Sequence, residues 1–288
     1  MRHPAKADLK TNRRISGSRK FALPDIKLQM FTAYFDASGT EKGDAVLAVG
    51  GFLATAERWG RFEKEWLDCL RRNSLDYFRT SEFNASQGGF KIGWRGNEKR
   101  RIALISDLVE IIKNNVDRKF GVIVTMDSLQ SFSRKQKEEW HICAYSLAGL
   151  KVASMVRQWA KAWSGPVPEL VFEEGDKGRN NLEILLRQDG FLNTQFRPKK
   201  ERTNKQSMIV KAAIPLQAAD LMAFELFDPM RKLQRDGYLL NLKRTFQELD
   251  KINGELGVIR QPYTKLLAML NESDSSQIII PPPGYEQR

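Results

Sequence analysis

The chain has 288 residues, 41% of them hydrophobic and 10% aromatic, which is enough apolar material for a sizeable core and too much for global disorder. Lys and Arg number 47 against 35 Asp and Glu, a net charge of +12 that favours a polyanionic partner such as nucleic acid and disfavours small cationic substrates. With 2 Cys and 2 His, a disulfide framework, structural zinc and a histidine-rich metal centre are excluded; carboxylates remain as the workers of any active site, and the chain reads as cytoplasmic.

Residues 1–29 read as a basic flexible tail, with eight Lys or Arg (2, 6, 10, 13, 14, 19, 20 and 27) against Asp8 and Asp25. The stretches 30–36 and 45–53 are short, apolar and β-rich, and the polar turn between them predicts a hairpin. Trp59, Phe62, Trp66 and Leu70 recur at helical spacing and predict a helix over 55–73; a Gly-, Ser- and Asn-rich loop follows at 84–97. Ile102, Ile105, Leu108, Val109, Ile112 and Val116 mark a second helix, and 119–127 a strand. One long helix is expected over about 136–162, a buried strand at 169–173, a helix near 178–189 and a further strand at 207–213. Pro215 suits the first turn of a helix running to about 235, and 236–288 reads as a helical extension with a loose tail. The longest apolar run, 45–56, is about half of the ~20 residues needed to cross a bilayer, so no membrane partner is expected. No phosphate-binding glycine loop of the dinucleotide or P-loop type is present. A hairpin followed by alternating helices and strands indicates an α/β fold with a mixed sheet.

Three groups of acids stand out of place in so basic a chain. Asp36 ends the first strand, on the strand face of Thr32 and Tyr34, at the kind of edge where open α/β sheets place ligands. Glu173, Glu174 and Asp176 crowd the end of the strand at 169–173, where like charges require a cation or a basic partner. Asp220 borders the apolar stripe Leu216, Ala219, Ala223, Leu226, Phe227 and Met230, a position that costs on the order of 2–7 kcal/mol unless the carboxylate is paired or bound to metal. Oxygen-rich clusters of this kind suit Mg²⁺ or Mn²⁺ and phosphodiester cleavage, chemistry that needs neither His nor Cys. Two basic stretches add candidate nucleic-acid contacts. One is 89–101, where Lys91 and Arg95 interleave with Phe90 and Trp94; the other is 196–211, with Lys199, Lys200, Arg202, Lys205 and Lys211. Lys211 and Gln217 are also placed to orient a phosphate near Asp220.

Tyr34-Phe35-Asp36-Ala37-Ser38-Gly39, FRTSEF at 78–83, VFEEGD at 171–176 and LQAADLMA at 216–223 together resemble the family called domain of unknown function 3800. That family is similar in turn to the ribonuclease-H-like nucleases and polynucleotidyl transferases. The resemblance implies a mixed five-stranded sheet flanked by helices over a catalytic domain at 30–235. By motif match it implies catalytic and metal-binding roles for Asp36, Glu173 and Asp220, with Glu174 and Asp176 as further ligands of a Mg²⁺ or Mn²⁺ pair. Ala37 stands where the family's first motif often has Glu, and Arg79 where the second often has His; Arg79 is suited to a phosphate instead. The expected activity is metal-dependent hydrolysis of DNA or RNA. The alternative is a catalytically inactive nucleic-acid-binding or adaptor protein of the same fold.

Overall fold

The computed structural model describes residues 30–40, 43–130, 132–204, 206–237 and 242–259. The basic tail at 1–29, the end of the chain from 260, and Lys205 lie outside the described residues.

In chain order the elements are β1 (Phe31–Ser38), β2 (Val46–Thr55), α1 (Ala56–Arg72), α2 (Thr80–Ala85), α3 (Glu98–Asn115), β3 (Arg118–Thr125), α4 (Arg134–Glu139), α5 (Ala144–Ala162) and β4 (Glu169–Glu173). There follow α6 (Arg179–Gln188), β5 (Thr194–Arg197), β6 (Arg202–Thr203), β7 (Ile209–Val210), α7 (Pro215–Asp236), α8 (Arg244–Asp250) and β8 (Gly254–Ile259). The main sheet has the order β5-β4-β1-β2-β3-β8. β1 and β2 form the expected antiparallel hairpin, β3 extends it antiparallel beside β2, β4 and β5 add in parallel beside β1, and β8 adds in parallel beside β3.

Period-two alternation divides the core between the two faces of the sheet. Ala33 and Phe35 of β1 join a cluster with α5 and α6, while Ala48 and Phe52 of β2 join one with α1, α3 and α7. The arrangement is a mixed α/β sheet with helices on both faces. A sixth strand, β8, extends it beyond the five expected, so the stretch after residue 235 contributes to the sheet as well as the short helix α8. Among the described residues no helix is long and apolar enough to cross a membrane.

α1 begins where the Thr55 hydroxyl accepts the Arg58 N–H and buries Trp59, Phe62, Trp66, Cys69 and Leu70 on its predicted face. The single helix expected over 136–162 is instead two. His141 takes φ 53°, and a reciprocal capping box between Cys143 and Ser146 starts α5 afresh. The strand expected at 207–213 is only β7, paired with β6 in a separate two-stranded ribbon. α2, not anticipated, is held at its start by contacts from α7 described below.

α7 lies directly across the sheet. It starts with Pro215 at its first turn and ends at Gly237 in the left-handed conformation, and from Pro215 to Pro229 only Phe224 escapes full burial. Close approach is possible because Gly50 of β2 has no side chain: a Cβ there would stand 3.0 Å from the backbone nitrogen of Ala223. Gly50 is the cross-strand partner of Asp36, so the same approach brings α7 over the β1 carboxylate.

Candidate active site

Asp36 and Glu173 occupy corresponding ends of the parallel neighbours β1 and β4, and α7 carries Asp220 over them from one side. Between these elements opens a cleft of about 940 Å³, lined from β1 by Ala37 and Ser38, from the β4 end by Glu173, Glu174 and Asp176, and from α7 by Asp220. The α2 region supplies Arg79 and Thr80, the loop after β5 supplies Lys199 and Lys200, and β6 supplies Arg202.

The acids do not form one uniform cluster. Single oxygens of Asp36, Glu173 and Asp176 all lie within 4.8 Å of one another, an arrangement able to hold a metal ion. Asp220 is outside that set; its Oδ2 accepts the backbone N–H of Thr80 at 2.6 Å, and its Oδ1 accepts Lys199 Nζ at 2.8 Å. Lys199 Nζ also lies 2.5 Å from Asp36 Oδ2, and Asp36 Oδ1 accepts the Ala37 N–H. Asp36 and Asp220 are thus joined through one ammonium, while Asp36, Glu173 and Asp176, all three among the expected ligands, are the group that shares a cation-sized space. Glu174 turns away to pair with Arg202 and also lies outside the shared group.

Burial dominates the electrostatics. Asp36 is removed from water, which pushes its carboxyl up to about 7 against the pull of Lys199, with Asp220 adding to the rise. Burial, then the charges of Asp36 and Glu173, push Asp176 well above the usual carboxylate range. Burial also opposes the charge on Asp220, yet Lys199 and the Thr80 N–H outweigh it and hold this carboxyl below its ordinary value. Burial disfavours the Lys199 ammonium, but Asp36 and Asp220 overcome that and raise its pKa.

Unsatisfied polar atoms gather at the same place. Asp176 Oδ2, Arg179 Nε, Thr80 Oγ1 and Glu82 Oε2 are buried without hydrogen-bond partners, and all four residues line the cleft. Tyr145 on α5 is 1% exposed, its hydroxyl is also unpartnered, and it stands within the field of Asp176, Asp36 and Glu173.

The basic candidates separate in space. Arg79 and Lys200 line the cleft, Lys200 with its ammonium 4.0 Å from the Tyr77 ring centroid. Arg202 also lines it, engaged with Glu174. Lys199, expected as a phosphate contact, is instead the internal partner of Asp36 and Asp220. Lys91 and Arg95 are exposed on the loop before α3, and Lys211 is exposed after β7; none of the three lines the cleft. Gln217, expected to face phosphate, is 1% exposed and accepts the Trp66 indole N–H and the Phe78 N–H, both at 2.9 Å, while its amide donates to the Lys199 carbonyl at 3.0 Å. It positions the lysine and the start of α2. Thr80 was not singled out as a site residue, although it is the third residue of the FRTSEF motif at 78–83.

No family model and no curated protein matches the chain. Among solved structures, Bst-RNase HIII in complex with Mn²⁺ is similar over 79% of this chain and 67% of that one, at 13% identity and a TM-score of 0.39. A Q54A mutant of Bst-RNase HIII is similar over 77% and 65%, at 12% identity and the same TM-score.

Proposed function

We propose that the chain is a divalent-metal-dependent phosphodiesterase acting on DNA or RNA. The observation that carries this reading is the convergence of Asp36, Glu173 and Asp176 on one cation-sized space at a cleft that Arg79, Lys200 and Arg202 also line. The residues fit a hard cation: all three donors are carboxylate oxygens, and Asp176 offers a buried oxygen with no other partner. Mg²⁺ or Mn²⁺ held there would supply an activated water and stabilisation of negative charge on the phosphate.

The chain's own residues divide the remaining work. Arg79 and Lys200 present positive charge where a phosphate backbone would enter, and Tyr77 offers an aromatic face beside Lys200. Lys199 balances Asp36 and Asp220, so that a buried group of acids does not repel itself apart. Gln217 ties the Lys199 backbone to Trp66, and the Asp220–Thr80 contact fixes α2 with Arg79 just before it. The finer assignment to domain of unknown function 3800 rests on the four motifs, each of which supplies cleft residues.

The test is cleavage of labelled single-stranded and duplex DNA and RNA in Mg²⁺, in Mn²⁺ and in EDTA. Cleavage that requires the cation supports the reading, and equal nucleic-acid binding with and without EDTA, with no cleavage in any condition, overturns it. That second outcome is what the inactive adaptor reading expects. Its one structural support is that Lys199 already satisfies Asp36 and Asp220 without a metal.

A further inference from the structure

We infer that Lys199 stands in for one of the two cations that a carboxylate-lined phosphodiester site would otherwise use, so that this chain binds a single divalent ion, at Asp36, Glu173 and Asp176. The inference rests on the metal-dependent reading above and narrows it. Two-ion sites place their cations about 3.5–4 Å apart, each bridged by carboxylates. Here one position is already taken by a covalently tethered ammonium, 2.5 Å from Asp36 Oδ2 and 2.8 Å from Asp220 Oδ1.

Lys199 is not a surface lysine that has folded inward by chance. Its side chain is only 14% exposed, and its carbonyl is held by Gln217, itself buried and fixed to Trp66 and Phe78. The preceding Pro198 carbonyl accepts the Ala213 N–H at 2.8 Å, which pins the loop from its other side. The orphaned atoms point to the same division of the site. Asp220 has partners for both oxygens, whereas Asp176 and the Tyr145 hydroxyl beside the acidic group have unpartnered buried atoms. Lys199 and Thr80 thus occupy both oxygens of Asp220, while Asp176 Oδ2 is left without a partner. A second divalent ion beside Asp36 would also meet the Lys199 charge at close range.

Calorimetric titration of the full chain with MnCl₂, without nucleic acid, reads the number of ions directly. The expected result is one ion per chain for the wild type and for Asp220→Asn, and two for Lys199→Ala, in which Asp36 and Asp220 lose their ammonium. Lys199→Met keeps the side-chain volume and is expected to follow Lys199→Ala if the smaller residue fails to fold. Two ions in the wild type, or one ion in every folded Lys199 variant, would overturn the inference. If no variant folds, the wild-type and Asp220→Asn counts decide, since a two-ion site spanning Asp220 loses one ion in that variant. One ion bound with no cleavage of any nucleic acid sinks the phosphodiesterase reading and leaves the role of Lys199 standing; two ions with cleavage do the reverse. A wild type that binds none removes both.

Discussion

Asp220 on α7 accepts the backbone N–H of Thr80 at 2.6 Å, joining two segments 140 residues apart, while its other oxygen faces Lys199. Asp220 is therefore a connector between α2, α7 and the loop after β5. Asp220→Asn keeps an oxygen for Thr80 but presents a neutral amide to Lys199, which retains Asp36. The expected cost is about 1–3 kcal/mol, the range for hydrogen bonds to charged groups and below the loss expected when a buried charge is left wholly alone. Urea unfolding of the purified variant measures it; an unchanged midpoint would show that the Lys199–Asp220 contact contributes nothing.

Gln217 makes three hydrogen bonds from a side chain that is 1% exposed. Replacing it with Ala leaves the Trp66 indole and the Phe78 N–H without acceptors and opens a cavity beside them. Each stranded donor costs about 1–3 kcal/mol, so a total loss of roughly 2–5 kcal/mol is expected. Denaturation followed by tryptophan fluorescence reads both the stability and the altered surroundings of Trp66. A loss below about 1 kcal/mol would mean that water replaces the amide.

Two glycines under α7 predict different outcomes for the same substitution. A Cβ at Gly50 would meet the backbone nitrogen and Cα of Ala223 at 3.0 and 3.1 Å, and a backbone cannot rotate away. A Cβ at Gly121 would meet the Leu226 Cδ1 methyl at 2.4 Å, the far end of a side chain that can change rotamer. Gly50→Ala should cost about 1–3 kcal/mol, as overpacking does, and displace Asp220 relative to Asp36. Gly121→Ala should cost less. Thermal melting of the two variants side by side checks the order, and the reverse order would refute the account of α7 seating.

The features that could be read in the sequence were the local ones. The β1–β2 hairpin and the Trp59–Leu70 face of α1 follow from spacing alone, and so does the anomaly of acids at two strand ends and on a buried helix. The break between α4 and α5 was hidden because Cys143 is an unusual capping residue, and periodicity continues across it. Lys199 sits in a run of basic residues that composition reads as a solvated phosphate contact. Its inward direction depends on Gln217 and Pro198, contacts made only after folding. Glu173, Glu174 and Asp176 have the same chemistry in sequence and separate only through their partners: Glu174 meets Arg202, whereas Glu173 and Asp176 turn toward Asp36.

Glu225 makes the stability of the chain depend on pH. It lies on α7, 4% exposed, with Oε2 lacking a partner, and burial pushes its carboxyl from 4.5 to about 7; Asp228 adds to the rise, and Lys243 and Lys232 oppose it. An acid with a raised pKa in the folded state stabilises most fully below its unfolded value, and that contribution is lost as pH climbs through the folded value. Stability should therefore fall between about pH 4.5 and pH 7, by up to roughly 3 kcal/mol from this group. Glu225→Gln should remove this component of the slope and be the more stable form at pH 8. Urea midpoints at several pH values compare the two proteins, and parallel profiles would show that Glu225 titrates normally.

The acids after β4 provide the most direct test of which carboxylates meet a cation. Glu173 and Asp176 offer oxygens to the same space as Asp36, while Glu174 is occupied by Arg202. An ion that binds only the folded chain raises its stability, by about 2.7 kcal/mol at a concentration one hundred times its dissociation constant. Wild type should thus melt at a higher temperature in Mn²⁺ than in EDTA. Asp176→Asn should lose most of that gain, because it removes the charge of a buried carboxylate that has no hydrogen bond at Oδ2. In EDTA the same variant should be at least as stable as wild type, since neutralising Asp176 relieves its repulsion from Asp36 and Glu173. Glu174→Gln should keep the Mn²⁺ gain and lose only a surface-type contact with Arg202, whose side chain is half exposed. A Mn²⁺ gain that survives in Asp176→Asn and disappears in Glu174→Gln would place the ion on the other side of the strand end, and the ligand set would have to be redrawn around Glu174.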